Sequence, residues 1–138
     1  MASTSEHTFD TLPTGRLGII ALNSSEYLGT KIDDFLVGWR NEREYRHKEA
    51  VETDGYHRAS YLIDSVVPRF GSGEAKGIIN ESVRGDDIYI LVDICNYSLT
   101  YWMRGKENRM SPDDHFQDLK RIIAAVGGKA RRINVIMP

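Results

Sequence analysis

Apolar residues along this chain form short runs that are separated by polar stretches and by two longer segments with helical spacing. Short apolar runs bounded by polar residues indicate buried strands, and they occupy residues 17–22, 61–67, 78–79, 88–94 and 133–137. Pro68 ends the second run, because a proline cannot donate a hydrogen bond to a sheet. The pattern predicts strands at these five positions.

The first helical segment has apolar residues that recur at helical spacing and would form one buried face: Leu28, Ile32, Phe35, Leu36 and Trp39. Asn23 and Glu26 stand three residues apart just before it, which predicts a capping box at its start.

The second helical segment has stronger end signals. Ser111 is a capping residue, and Pro112, Asp113 and Asp114 suit the first turn of a helix. Two glycines at 127–128 predict its end. Its predicted buried face is Phe116, Leu119, Ile122, Ile123 and Val126. Strands that alternate with helices predict an α/β fold, a mainly parallel sheet flanked by helices.

Three segments do not follow either pattern. Residues 1–14 are rich in serine and threonine and predict a flexible tail. Residues 41–60 carry nine charged side chains in twenty; they either prolong the first helix or form a mobile excursion around Asp54 and Gly55. Residues 96–110 are polar and aromatic and predict a loop. The remainder, 15–138, is the length of one domain.

Composition excludes several classes of protein. A net charge of −2 argues against a nucleic-acid-binding surface, which needs a clear basic excess. No apolar stretch reaches the eighteen residues of a membrane span, and the polar N-terminus does not resemble a signal peptide. A cytoplasmic protein without nucleic-acid or membrane partners is expected.

Cysteine and histidine give no sign of a metal centre. The single cysteine, Cys95, excludes an internal disulfide, and its position after an apolar strand predicts a small buried residue. No histidine pair has metal-ligand spacing. His115 is expected to be solvated at a helix start, and no catalytic residue or metal ligand is assigned.

Two neighbouring motifs carry the candidate chemistry. Residues 69–74 (RFGSGE) form a glycine-containing loop, and residues 80–85 (NESVRG) add a hydroxyl and a guanidinium directly before a strand. Backbone amides, a hydroxyl and an arginine at strand ends are suited to holding a phosphate. Loops of the Gly-x-Gly kind also serve as plain turns.

These motifs, together with residues 131–138 (RRINVIMP), resemble the N-terminal domain of ribose-phosphate pyrophosphokinase, the phosphoribosyl pyrophosphate synthetase family. The resemblance is dense over 61–94 and 112–138, weaker over 16–40 and absent from 41–60. It implies the phosphoribosyltransferase-like α/β fold of that domain, with a charged insertion at about 41–60.

The resemblance implies that Phe70, Ser72 and Glu74 bind the adenine of ATP or ADP, reaching into a neighbouring subunit. A ring stacks on the base while a carboxylate accepts from its exocyclic amine. The family has Asp or Asn where this chain has Ser72, and a hydroxyl reaches less far. The alternative is a turn with an aromatic plug and a solvated glutamate.

The resemblance also implies that Ser82 and Arg84 surround the phosphates of an inhibitory nucleotide at a subunit interface. A planar guanidinium binds two phosphate oxygens at once. The alternative is that the two residues only fix a turn before the strand.

The family reaction transfers diphosphate from MgATP to ribose 5-phosphate, giving phosphoribosyl diphosphate and AMP for nucleotide biosynthesis. The family's catalytic residues follow the strand that matches residues 133–138 and belong partly to a second domain, which this sequence lacks. The resemblance implies self-association into a homo-oligomer. Because the family's catalytic residues are not found here, it also implies that this chain alone does not catalyse. Mg²⁺ is expected only with ATP in the parent enzyme. The alternatives are a non-catalytic regulatory or assembly module and an unrelated α/β nucleotide-binding domain.

Overall fold

The computed structural model of the chain describes residues 15–47 and 55–138. The predicted tail and residues 48–54 of the charged segment lie outside the described residues. The elements in chain order are β1 (Leu17–Ala21), a 3₁₀ turn (Asn23–Ser25), α1 (Glu26–His47), β2 (Ser65–Val66), β3 (Ile78–Ile79), β4 (Asp87–Leu91), β5 (Thr100–Met103), β6 (Lys106–Arg109), α2 (Pro112–Val126) and β7 (Arg132–Ile136).

The centre of the fold is a parallel sheet of three strands in the order β1-β4-β7. On the free side of β1, Ile19 donates to the carbonyl of Tyr61 at 2.8 Å and accepts from the amide of Ile63 at 2.7 Å. The predicted strand over 61–67 therefore begins as a parallel neighbour of β1, and its later part becomes β2, which pairs antiparallel with β3. The mainly parallel α/β fold is confirmed.

Each helix covers a different face of this sheet. Leu119, Ile122 and Val126 of α2 are buried in the larger core cluster, against side chains from β1 and β4. Ile32 and Leu36 of α1 pack on the opposite face, in a smaller cluster. Strands β1 and β4 thus bury residues on both faces of the sheet, which explains their nearly continuous apolar runs.

The predicted apolar face of α1 is wrong at two positions, since Phe35 and Trp39 are 62% and 64% exposed. The helix docks instead along Leu36, Gly29 and Asp33. The Asp33 carboxylate accepts from the Tyr61 amide at 2.6 Å and from the Ser60 hydroxyl at 2.7 Å. A buried carboxylate sets the rotation of the helix, and an apolar periodicity cannot reveal it.

The start of α1 also differs from the prediction. A 3₁₀ turn precedes the helix, its cap position is Leu22, and no side chain caps it, so the Asn23 capping box is wrong. The Ser24 hydroxyl accepts instead from the amide of Asp93 at 3.0 Å. It therefore joins the loops that follow β1 and β4. The same helix continues through residue 47, so the charged segment prolongs it at least that far.

The predicted ends of α2 are confirmed. The Ser111 hydroxyl accepts from the Asp114 amide at 3.2 Å, the Asp114 carboxylate accepts from the Ser111 amide at 2.8 Å, and Gly127 closes the helix with φ 61°. The predicted face is wrong for Phe116 and Ile123, which are 43% and 36% exposed.

Two further predictions fail at the carboxyl edge of the sheet. Cys95 is exposed, because β4 ends at Leu91 and the cysteine lies in the turn beyond it. Residues 96–110 are not a plain loop, since they contain the hairpin of β5 and β6.

Neither helix in the described part of the chain is long and apolar enough to cross a membrane.

Two glycines of α1 give a matched test of this packing. A Cβ on Gly29 would lie 2.4 Å from the Cβ of Ala21, whereas a Cβ on Gly38 would meet nothing within 4 Å. We expect Gly29→Ala to lower the free energy of unfolding by about 1–3 kcal/mol through overpacking. Gly38→Ala should raise it by up to about 1 kcal/mol through helix propensity. Urea unfolding measures both, and equal effects would contradict this docking of α1.

Candidate functional site

The 69–74 motif forms a closed turn at the tip of an antiparallel connection between β2 and β3. The Phe70 amide donates to the carbonyl of Glu74 at 2.7 Å, and the Gly73 amide donates to the carbonyl of Phe70 at 2.8 Å. Arg69 and Ala75 form a bridge below them. Gly73 has φ +92°, a conformation that glycine adopts without strain. The backbone of this turn is therefore fixed by its own hydrogen bonds.

Arg69 anchors the turn to the rest of the domain. Its side chain is only 9% exposed and donates to the carboxylate of Asp118 at 2.8 Å and to the carbonyl of Gly73 at 2.9 Å. Asp114 lies 3.8 Å away, and the Tyr101 ring is 4.5 Å from the guanidinium carbon. One guanidinium thus joins the turn, the first two turns of α2 and strand β5.

The β5–β6 hairpin supports the same turn from its other side. A Cβ on Gly73 would lie 2.7 Å from the sulfur of Met103, so the hairpin packs closely against the turn. The Arg104 amide donates to the carbonyl of Gly71 at 3.4 Å. Part of the segment that the sequence predicted as a loop is therefore a structural support.

The three predicted adenine-binding residues occupy this supported turn and are exposed. Phe70 is 51% exposed, and Ser72 and Glu74 are exposed as well. In the described part of the chain, the side chains of Ser72 and Glu74 have no hydrogen-bond or ion-pair partner. Because the Phe70 amide bonds to the Glu74 carbonyl, the aromatic ring and the carboxylate start from facing backbone positions. The turn presents both groups to solvent together.

Ser82 and Arg84 lie in a different turn, directly before β4. The Ser82 hydroxyl accepts from the Arg84 amide at a long 3.5 Å, and Gly85 has φ +76°. Val83 between them is buried, which fixes the turn to the core. The Arg84 side chain is exposed and, among the described residues, has no ion-pair partner.

The acidic residues after this turn are already paired with arginines. Asp86 is buried and accepts from Arg16 at 3.0 Å, while Asp87 accepts from Arg132 at 3.0 Å. Their charges are therefore largely compensated, and the guanidinium of Arg84 stays available to an anion.

The structure does not bring the two predicted sites together. Arg69 contacts the start of α2, which begins beyond the carboxyl end of the sheet, whereas Arg84 precedes the amino end of β4. The two motifs are close in sequence, but β3 and the following turn carry the chain along the sheet between them.

The sequence did not lead us to the side chains that hold the 69–74 turn in place. Arg69 was part of the motif without a role, and Asp118 was not considered. A carboxylate four residues after Asp114, on the buried side of α2, was the available signal. His115 is 3% exposed, and its Nε2 lies 2.7 Å from the carbonyl of Asn96, so the expectation of a solvated histidine is wrong.

Among the described residues, acidic and histidine side chains do not form a three-ligand cluster. Across residues 15–47 and 55–138, no three of His, Cys, Asp or Glu are placed to hold an ion. No chemical step through a metal is assigned to the described residues.

Comparison with known protein families identifies the family of this domain. Residues 17–138 match the family described as the N-terminal domain of ribose phosphate pyrophosphokinase. The chain belongs to this family. The matched range includes the sheet, both helices and both predicted sites. No curated protein matches the chain.

Membership in the ribose phosphate pyrophosphokinase family connects the domain with a transferase of nucleotide biosynthesis. It excludes the alternative of an unrelated α/β nucleotide-binding domain. It also agrees with the phosphoribosyltransferase-like fold, because the matched range contains the parallel sheet and its flanking helices.

The Arg69 contacts predict a measurable dependence of stability on Asp118. Asp118→Asn removes the charge that faces Arg69 and Arg121, at 2.8 and 2.7 Å. We expect the free energy of unfolding to fall by about 1.5–3 kcal/mol, the range for hydrogen bonds to charged groups. Chemical denaturation measures it. The control is Asp113→Asn, an exposed change in the same helix, and a loss no larger than the control's would contradict the anchoring role.

Proposed function

We propose that this domain supplies the ATP-adenine clamp of a ribose-phosphate diphosphokinase, the enzyme that makes phosphoribosyl diphosphate and AMP from ATP and ribose 5-phosphate. One observation carries the proposal: Phe70 and Glu74 are exposed on a turn that Arg69 holds in place. Exposed aromatic and acidic groups on a mobile loop would not indicate a binding site. Here the turn that carries them is held by Arg69, whose side chain is largely buried and paired with Asp118.

The chemistry of adenine fits these two side chains. The Phe70 ring offers a flat apolar surface for stacking, and the Glu74 carboxylate accepts from the exocyclic amine of the base. Ser72 lies between them and can donate to a ring nitrogen or accept from the amine, over a shorter reach than a carboxylate or amide.

The fixed turn reduces the entropic cost of binding. Each rotamer-rich side chain that binding immobilises costs about 0.5–1.5 kcal/mol, and ordering a loop adds to this. Here the turn's backbone hydrogen bonds and the Met103 contact at Gly73 order the loop before a nucleotide arrives. Preorganisation therefore supports a binding role for the motif.

The clamp acts across subunits in this proposal. Its residues point away from the domain's own core, so the bound ATP or ADP lies against a neighbouring chain, and self-association completes the site. Ribose 5-phosphate and Mg²⁺ belong to the remainder of the enzyme. The chain contributes nucleotide binding and subunit contacts and does not catalyse alone.

Ser82 and Arg84 are proposed to bind the phosphates of a regulatory nucleotide at the opposite end of the sheet. The support is the exposed Arg84 guanidinium, next to acidic residues that Arg16 and Arg132 already neutralise. A fixed turn with φ +76° at Gly85 sets the direction in which the arginine leaves the backbone.

The second candidate is a non-catalytic assembly module, which the hairpin favours. Trp102 of β5 is 68% exposed and lies among arginine, lysine and glutamate side chains. Aromatic residues beside arginine are enriched at protein interfaces. Oligomerisation without nucleotide affinity would favour this candidate over the adenine clamp.

The clamp is tested by removing the ring. In the assembled enzyme that carries this domain, Phe70→Ala is expected to raise the KM for ATP about tenfold or more, since base stacking contributes about 1–3 kcal/mol. The KM for ribose 5-phosphate should stay unchanged. Steady-state kinetics with each substrate varied in turn measure both.

Two further variants make this test specific. Tyr97→Ala removes another exposed aromatic ring, 56% exposed and outside the turn, and should leave both constants unchanged. Phe70→Trp keeps a stacking surface and should preserve most of the ATP affinity. An ATP constant that responds equally to the losses of Phe70 and Tyr97 would reject the clamp.

The absence of catalysis by the chain alone is tested directly. Purified 138-residue protein, incubated with MgATP and ribose 5-phosphate, is expected to form no AMP above the rate without protein. Phosphorus NMR follows both products. Protein-dependent formation of AMP together with phosphoribosyl diphosphate would show that the described residues hold more of the catalytic machinery than the proposal assigns.

A further inference from the structure

The tip of the β5–β6 hairpin has an arginine in a backbone conformation that arginine rarely adopts. Met103 pairs with Lys106, so the loop between the two strands consists of Arg104 and Gly105 alone. Both residues have positive φ, 52° and 74°. A two-residue hairpin loop with two positive φ angles favours asparagine, aspartate or glycine at its first position. In the described part of the chain, Arg104 is the single non-glycine residue with positive φ.

This conformation has a cost that the turn itself does not require. A residue with a Cβ is disfavoured in the left-handed region, whereas glycine would form the same turn without strain. Residues held in such conformations are concentrated at functional sites. The chain therefore places a guanidinium where the geometry of the hairpin favours a smaller residue, and the reason must lie outside the hairpin.

The hairpin tip is fixed to the turn of residues 69–74. The Arg104 amide belongs to the loop and has no partner in the ladder of β5 and β6, and it donates to the carbonyl of Gly71 at 3.4 Å. Met103, one residue earlier, lies so close to Gly73 that an added Cβ there would be 2.7 Å from its sulfur. Because Gly71 directly follows Phe70, the backbone of Arg104 lies beside the ring of the proposed clamp.

The residues of the turn do not supply a cation for a bound nucleotide. The Arg69 guanidinium is largely buried and is used by Asp118 and by the Gly73 carbonyl. Glu74 adds a negative charge, which repels a phosphate chain. The Arg104 side chain is exposed and, in the described part of the chain, has no hydrogen-bond or ion-pair partner. Its planar fork can bind two phosphate oxygens at once.

Lys106 is another exposed cation at this tip, but it has neither feature that distinguishes Arg104. Its backbone pairs within the hairpin, opposite Met103, and its φ is not positive. Its ammonium binds as a point charge, without the two-pronged geometry of a guanidinium. The backbone conformation and the bond to Gly71 therefore single out Arg104.

We propose that Arg104 binds the phosphate chain of the adenine nucleotide whose base stacks on Phe70. The inference rests on the proposed adenine clamp and adds the side chain that recognises the charged end of the same ligand. Because Phe70 and Arg104 belong to one chain and are joined through Gly71, the arginine accompanies the ring to whichever subunit holds the rest of the site. The hairpin thereby makes the clamp selective for nucleotides over nucleosides.

Substitution by glycine tests the arginine without disturbing the turn, since glycine adopts φ 52° without strain. In the assembled enzyme that carries this domain, Arg104→Gly is expected to raise the KM for ATP about tenfold, near the lower end for a hydrogen bond to a charged group. The inhibition constant of adenosine, which competes through the base and has no phosphate, should stay unchanged. The midpoint of thermal unfolding should not fall.

Two further variants make the test specific. Arg104→Lys keeps the charge without the planar fork and should recover part of the ATP affinity that Arg104→Gly loses. Arg109→Gln removes one positive charge at the other end of the same hairpin, where Arg109 pairs with Thr100. It should leave the KM for ATP unchanged.

The outcomes separate this inference from the clamp on which it rests. If Phe70→Ala raises the KM for ATP and Arg104→Gly does not, the phosphate contact is wrong and the clamp stands. If Phe70→Ala has no effect, the clamp is rejected and this inference with it. Equal effects of Arg104→Gly and Arg109→Gln would show a general charge effect and overturn the contact. Adenosine inhibition that weakens as much as ATP binding would place the guanidinium on the base and overturn it as well.

Discussion

The guanidinium of Arg69 is the interaction on which the candidate site depends. It joins three elements that are distant in sequence: the turn through the Gly73 carbonyl, α2 through Asp118, and β5 through the Tyr101 ring. A planar fork with several donors can satisfy a carboxylate and a carbonyl at once while its face stacks on an aromatic ring. A lysine at this position would supply a point charge without the fixed directions. Together with the turn's own backbone hydrogen bonds and the Met103 contact, this largely buried side chain places the exposed groups of the turn.

Each helix of the domain is attached to the chain between residues 60 and 75 by a buried carboxylate. Asp33 of α1 accepts from Ser60 and Tyr61 on one face of the sheet, and Asp118 of α2 accepts from Arg69 near the other. Apolar burial drives both helices onto the sheet but does not fix their rotation. The carboxylates do, because an unpaired buried charge is far more costly than a displaced methyl group. The same rotation that satisfies Asp33 leaves Phe35 and Trp39 in solvent.

The structural features that depend on interactions between residues close in sequence were predicted from local sequence signals. The start and end of α2 were predicted because Ser111, Asp114 and Gly127 act within a few residues of themselves. The burial of Asp33, Asp118 and His115 was not predicted, because their partners lie 19 to 49 residues away in the chain. Cys95 was misjudged for a related reason, since only the sheet register shows where β4 ends. The proposed adenine-binding turn was located through its resemblance to a family, and spacing alone would have left it a plain turn.

The positions of the two proposed nucleotide sites limit how they can communicate. The Phe70 turn lies beside the start of α2 and Arg84 precedes the amino end of β4, so they are separated by roughly the height of a five-residue strand, about 17 Å. The chain directly before β3 packs tightly on α2, because a Cβ on Gly77 would lie 2.6 Å from the Arg121 carbonyl oxygen. Arg121 also shares Asp118 with Arg69. A displacement of this helix turn would consequently reach Arg69, the residue that anchors the proposed adenine-binding turn.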